Sequence, residues 1–178
     1  MIFVTGYFGA PIREEAQRIA SGKGRTVLDL DRMIEEKDGR SIARLCMMGG
    51  EHAYRNAEYE AVQELLGMDP QKLTGYSLQA ELPDQEDPLP EPVQTESVVA
   101  CGDGILYDED TRKLILQQEL VIAGEDMSMD ELWARARQEE STYHAFMKFG
   151  TGEERRSAFE AHHQRQKALF DSVIADRR

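Results

Sequence analysis

The chain has 178 residues, 40% of them hydrophobic, with 34 acidic against 21 basic side chains and a net charge of -13. That length suits one domain, 1–178, with a sizeable core, and the acidic balance excludes unspecific binding to nucleic acid or anionic lipid, both of which need a cationic face. No apolar run approaches the roughly 20 residues needed to span a bilayer, and the start MIFVTGYFGA has no charged region ahead of a long apolar stretch. A cytoplasmic location is expected. The two cysteines, Cys46 and Cys101, lack metal-ligand spacing and are too few for a disulfide framework, so they read as buried thiols.

Taken in chain order, Ile2-Phe3-Val4 is a short apolar run ending in Thr5-Gly6, and Ile12, Ala16, Ile19 and Ala20 then share one helical face. Between them, Gly6-Tyr7-Phe8-Gly9-Ala10-Pro11-Ile12-Arg13 has the frame of the phosphate-binding motif GxxxxGK[ST] with its last three positions replaced. In the working motif glycine exposes amides to the polyphosphate, lysine neutralises it and the hydroxyl holds magnesium. Pro11 has no amide, Ile12 no charge, and Arg13 repels a divalent cation, so this loop is not expected to hold nucleotide in the usual way. Glu14 and Glu15, in the first turn of the helix, satisfy its dipole and repel a phosphate further.

A second strand over Thr26 to Leu28 leads to Asp29-Leu30-Asp31, where the aspartates serve either as ligand contacts or as caps of the next helix. Helix is expected from Arg32 to about Lys37 and from Ser41 to about Leu66, interrupted at Gly49-Gly50. Residues 67–96 hold five prolines among acidic side chains and read as an acidic, proline-rich insertion. A third strand, Ser97 to Cys101, runs into Gly102-Asp103-Gly104, and a fourth, Leu120 to Ala123, into Gly124-Glu125-Asp126. Ser128 caps a helix carrying Leu132 and Trp133, Ser141 to Gly152 is a mobile connection, and Glu153 to Ile174 is one long charged helix. His162 and His163 point about 100° apart on that helix, and with His144 they are expected at the solvent surface rather than on a metal. Alternating strands and helices imply an α/β three-layer sandwich around a mostly parallel sheet, with ligands at the edge where the strands end.

The pieces at that edge, in this order, resemble the shikimate kinase family. Asp29-Leu30-Asp31 is similar to its Asp-x-Asp, Ser41-Ile42-Ala43 to the segment that follows, and Tyr54-Arg55-Asn56-Ala57-Glu58 to its Phe-Arg-x-x-Glu. Val99 to Gly104 is similar to the strand before its triple glycine, and Arg165 to Phe170 to its arginine segment. The resemblance implies a P-loop fold of the nucleoside-monophosphate-kinase type, here without the family's last strand, so that one sheet edge is shorter or is supplied by a partner chain. It also implies that Asp31 meets substrate hydroxyls, that Arg55 and Arg165 hold a substrate carboxylate, that Gly102 and Gly104 approach the substrate, and that Asp29 assists the metal. Asp103 departs from the triple glycine, where it places a carboxylate and demands a dihedral that glycine meets most easily.

The acceptor half thus looks kept, and the donor half, at Gly6, Gly9, Pro11, Ile12 and Arg13, dismantled. The resulting expectation is a catalytically impaired shikimate kinase-like protein that binds a small anionic hydroxylated ligand, with no cofactor. The alternative is an active small-molecule kinase using ATP and Mg, with Asp31 as base and Asp29 on the metal. A homo-oligomer is compatible with either.

Overall fold

A computed structural model describes residues 1–67, 96–139 and 142–175; most of the acidic, proline-rich stretch lies outside them. Four strands, β1 (Ile2–Gly6), β2 (Val27–Asp29), β3 (Val98–Ala100) and β4 (Glu119–Ala123), form one parallel sheet in the order β2-β3-β1-β4. β1 is central and buried along its whole length, which is why it reads as an unbroken apolar run rather than an alternating one.

Helix α1 (Ile12–Lys23) covers one face, packing Ala16 and Ala20 against Ile2, Val4, Val98 and Ala100. The other face carries Phe3 and Val99 into a larger core with α2 (Leu30–Asp38), α3 (Ile42–Leu65), α4 (Glu109–Leu116), α5 (Met129–Ala136) and α6 (Gly152–Ala175). This is the expected three-layer α/β sandwich.

Local chemistry sets the element ends. Asp29 caps α2 by accepting from the Arg32 amide, Ser41 and Asp108 cap α3 and α4, and Ser128 forms a reciprocal capping box with Glu131. Thr151 and Glu154 make the same reciprocal pair at the start of α6. The kink in α3 falls at Gly50, which leaves helical geometry at φ 75° and ψ 171°.

Two expectations are corrected. The connection before α6 is not loose among its described residues: Thr142 and His144 are buried, and a short 3-10 turn spans Ala145–Met147. Asp103 does not adopt the left-handed dihedral that a glycine would supply, since no described residue other than glycine has positive φ. Among the described residues, no helix is long and apolar enough to cross a membrane.

Candidate functional site

The carboxyl ends of β1, β2 and β3 open on a cavity of about 550 Å³ lined by Phe8 to Ala10, Ile12, Arg13, Asp29, Asp31, Asp103 and Tyr143, among others. The structure therefore brings together the glycine loop, both aspartates and the Gly102 turn, as the strand order requires.

Within the loop, most donors are already used. The amides of Ala10 and Ile12 donate to the carbonyls of Tyr7 and Ala10, the Tyr7 amide to Ala123, and the Phe8 amide to Gln166 Oε1 at 3.0 Å. Arg135 of α5 lies across the turn, donating from Nε to the Gly9 carbonyl at 3.1 Å and from Nη2 to Glu14 at 2.7 Å. Gly9 itself has φ 91°, and a Cβ there would collide with the Leu132 carbonyl; α5 packs so closely that the position admits no side chain. Beyond the loop, Arg13 Nε donates to Asp29 Oδ2 at 2.6 Å and Arg13 Nη2 stands 4.0 Å from Asp31. Asp29 thus both caps α2 and pairs with a guanidinium.

Behind these groups lies a buried polar layer. The Tyr54 hydroxyl donates to Asp31 Oδ1 at 2.6 Å. Burial nevertheless raises Asp31 to about 6, against the pull of that hydrogen bond. Burial likewise pushes Glu58 up to about 7, with Arg55 opposing it. Arg55 is buried beneath Gly104, where a Cβ would strike its guanidinium. Its nitrogens reach Glu58, Glu51 at 2.9 Å and the Tyr143 hydroxyl at 2.8 Å, and its plane lies over the Tyr54 and Tyr143 rings. Burial is the largest influence and works against its charge, but Glu58, Tyr143 and Tyr54 together outweigh it and raise the group above its ordinary value.

Arg165 is on α6, exposed, and lines a different cavity of about 990 Å³ with Arg44, Lys148, Tyr107, Phe146 and Phe149. Arg55 itself lines neither cavity, while its partners Glu51 and Tyr143 line the larger one beside Arg165. Arg55 has local acids at i-4 and i+3 that occupy its fork, a competition that helix spacing predisposes.

Sequence reasoning missed the group that joins the cavities. Asp103 is buried and receives His144 Nε2 at 3.1 Å from both oxygens, His162 Nε2 at 3.2 Å, and Gln166 Nε2 at 2.9 Å. Burial opposes its charge, yet the two imidazoles hold its carboxyl below the ordinary range. The expectation of solvent-exposed histidines fails for His144 and His162, which are 8% and 5% exposed. His163 does point elsewhere, stacking on Tyr7 with ring centroids 4.7 Å apart. The signal that could have located them is the spacing Phe159, His162, Gln166, Phe170, Val173, all buried on one stripe of α6.

A parallel sheet with a glycine turn, an Asp-x-Asp end and covering helices on both faces defines an α/β fold of the nucleoside-monophosphate-kinase type. Residues 15–73 match the family model for shikimate kinase. A shikimate kinase of Chlorobium limicola is 27% identical over 122 residues, 68% of this chain and 48% of that protein. One of Thermus thermophilus is 37% identical over 68 residues, 38% of this chain and 37% of its own length. The fold is similar to shikimate kinase from Acinetobacter baumannii in complex with shikimate, with TM-score 0.71, 18% identity and coverage of 97% of this chain and 78% of that one. It is also similar to shikimate kinase from Bacteroides thetaiotaomicron, with TM-score 0.69, 18% identity, and 96% and 81% covered. The chain is similar in sequence to shikimate kinases and shares their fold, and it spans about half the length of the first curated relatives it matches (48% and 54%).

Proposed function

We propose that this chain is a shikimate kinase-like protein that binds a small hydroxylated carboxylate but does not bind Mg-nucleotide at the turn after β1. The observation that carries this reading is the Arg13–Asp29 pair at 2.6 Å. Arg13 stands where the phosphate-binding motif has its metal-binding hydroxyl, so its guanidinium neutralises the aspartate that would otherwise assist a divalent ion. The inward use of the Tyr7, Phe8, Ala10 and Ile12 amides supports the same conclusion, because a phosphate cradle needs those donors free.

For the anion, support comes from Arg165 together with Arg44 and Lys148. All three line the larger cavity, and none has an ion-pair partner among the described residues, although the chain carries an excess of acids. Arg55, with its fork filled, then serves to hold Glu58 and Tyr143 in place.

The test is a pair of thermal-shift titrations. MgATP should leave the melting temperature unchanged, while shikimate should raise it as linkage requires, and Arg165→Ala should abolish the shikimate response. Stabilisation by MgATP would overturn the nucleotide half of the proposal, and indifference to shikimate the acceptor half.

A second reading is favoured by one observation. Asp31, raised to about 6 and facing the cavity that holds the glycine loop, has the affinity for protons that a general base needs near neutral pH. Under that reading the chain transfers phosphate from ATP to an alcohol, and ADP release dependent on shikimate and lost in Asp31→Asn would establish it.

A further inference from the structure

Asp103, His144 and His162 come from three separate parts of the chain: the turn after β3, the segment before α6, and α6 itself. Their donor atoms all lie within 4.8 Å of one another. His144 Nε2 is 3.1 Å from both carboxylate oxygens and His162 Nε2 is 3.2 Å from Oδ2. Ligand atoms around a tetrahedral zinc, with bonds of about 2.0–2.1 Å, stand about 3.4 Å apart. The two histidine-to-carboxylate distances already approach that spacing, and the imidazole nitrogens, within 4.8 Å of one another, close toward it as an ion binds.

The surroundings hold these groups in place. Gln166 Nε2 donates to Asp103 Oδ2 and to its main-chain carbonyl, while Gln166 Oε1 accepts from the Phe8 amide. The Tyr143 hydroxyl stands 3.2 Å from Oδ1. Outer partners of this kind orient metal ligands. Charge points the same way. Asp31, Glu58 and Asp103 interact with one another, yet the one buried guanidinium among the described residues, Arg55, is engaged by Glu58 and Glu51. One Glu58 oxygen has no hydrogen-bond partner among the described residues.

We propose that Asp103, His144 and His162 form a binding site for a divalent transition metal of the zinc class, with a remaining coordination position open to the cavity that His144, His162 and Tyr143 line. Two imidazoles and one carboxylate suit zinc better than magnesium or calcium, which favour sets made only of oxygen. On binding, the two imidazole-to-carboxylate contacts give way to Nε2 and carboxylate bonds to the ion, any proton on Nε2 passing to Nδ1 or to solvent. The site is distinct from Asp29, which pairs with Arg13, and it does not depend on the function proposed above.

The experiment uses the full chain, stripped with a chelator and titrated with zinc by calorimetry and thermal shift, and with cobalt by visible absorption. About one equivalent should bind, raise the melting temperature and give the intense visible bands of a low-coordinate cobalt site; His144→Gln and His162→Gln should each weaken zinc roughly 10- to 100-fold. His52→Gln, exposed on α3, should bind as the unaltered chain does. No zinc binding by the folded unaltered chain, or binding undiminished in both variants, would overturn the assignment. If a variant fails to fold, imidazole resonances of the unaltered chain decide: zinc shifting those of His144 and His162 supports the site, and zinc leaving them unmoved refutes it.

Discussion

Arg13 Nε and Asp29 Oδ2, 2.6 Å apart, tie the first turn of α1 to the end of β2 across the mouth of the cavity. The Arg13 side chain is 66% exposed, so the pair adds little to stability. Arg13→Ser should change the unfolding free energy by about 1 kcal/mol or less, and the change should shrink with added salt. The effect should be on ligands instead. Combined with Pro11→Gly and Ile12→Lys, Arg13→Ser should give a larger thermal response to MgATP than the unaltered chain.

Arg55 should behave in the opposite way, as a structural group. Its removal strands Glu58, which is wholly buried. Arg55→Ala should cost about 3–5 kcal/mol in urea unfolding. Arg55→Lys should recover only part of that, because an ammonium cannot reach Glu51, Glu58 and Tyr143 from one plane.

The pH dependence of stability follows from Asp31 and Glu58. Both are raised in the folded state, from 3.8 to about 6 and from 4.5 to about 7. Between those limits the native chain binds more protons than the unfolded one, so stability is greatest in mild acid and falls as pH rises toward 7. Melting temperature should therefore decline between pH 5 and pH 7 (about the window those values set). Asp31→Asn should flatten the lower part of the decline and Glu58→Gln the upper part. At more acid pH, Asp103 acts in reverse, since its lowered carboxyl costs stability once it is protonated.

Tyr54→Phe tests the Asp31 hydrogen bond. Loss of a 2.6 Å contact to a half-buried carboxylate should cost about 1.5–3 kcal/mol near neutral pH. It should also move the Asp31 titration to higher pH, because the hydroxyl now favours the charged form.

Gly9→Ala should destabilise by about 1–3 kcal/mol, as a forced left-handed residue meeting backbone does. Its φ of 91° and the Leu132 carbonyl both act against a side chain. Unchanged stability in thermal unfolding would show that Gly9 does not hold α5 against the turn.

Much of the fold was legible because it depends on local and periodic signals. The β1 run, the Gly50 interruption, the Ser128 cap and the extent of α6 all fall where the residues place them. Helix α4 gave a weaker signal: its Asp108 to Thr111 cap introduces only two turns, with Ile115 the one fully buried aliphatic side chain. At the site, Asp31 and the glycine loop were placed correctly by strand order alone. The inward stripe of α6 was hidden because His162 and Gln166 interrupt its apolar residues, so a buried face reads as a polar one. Arg55 and Arg165 could not be separated from sequence, because only the three-dimensional packing shows that Glu51, Glu58 and Tyr143 reach Arg55 first.

Asp103 is bound to partners 59 and 63 positions further along the chain. Contacts that distant carry a loop-closure cost, as does the β1–β3 pairing that positions Asp103, which joins Ile2 to Val98. The cavity floor and the last helix are consequently tied into one unit through His162 and Gln166. Native-state exchange should find the Phe8 amide and the buried turns of α6 opening as one cooperative unit.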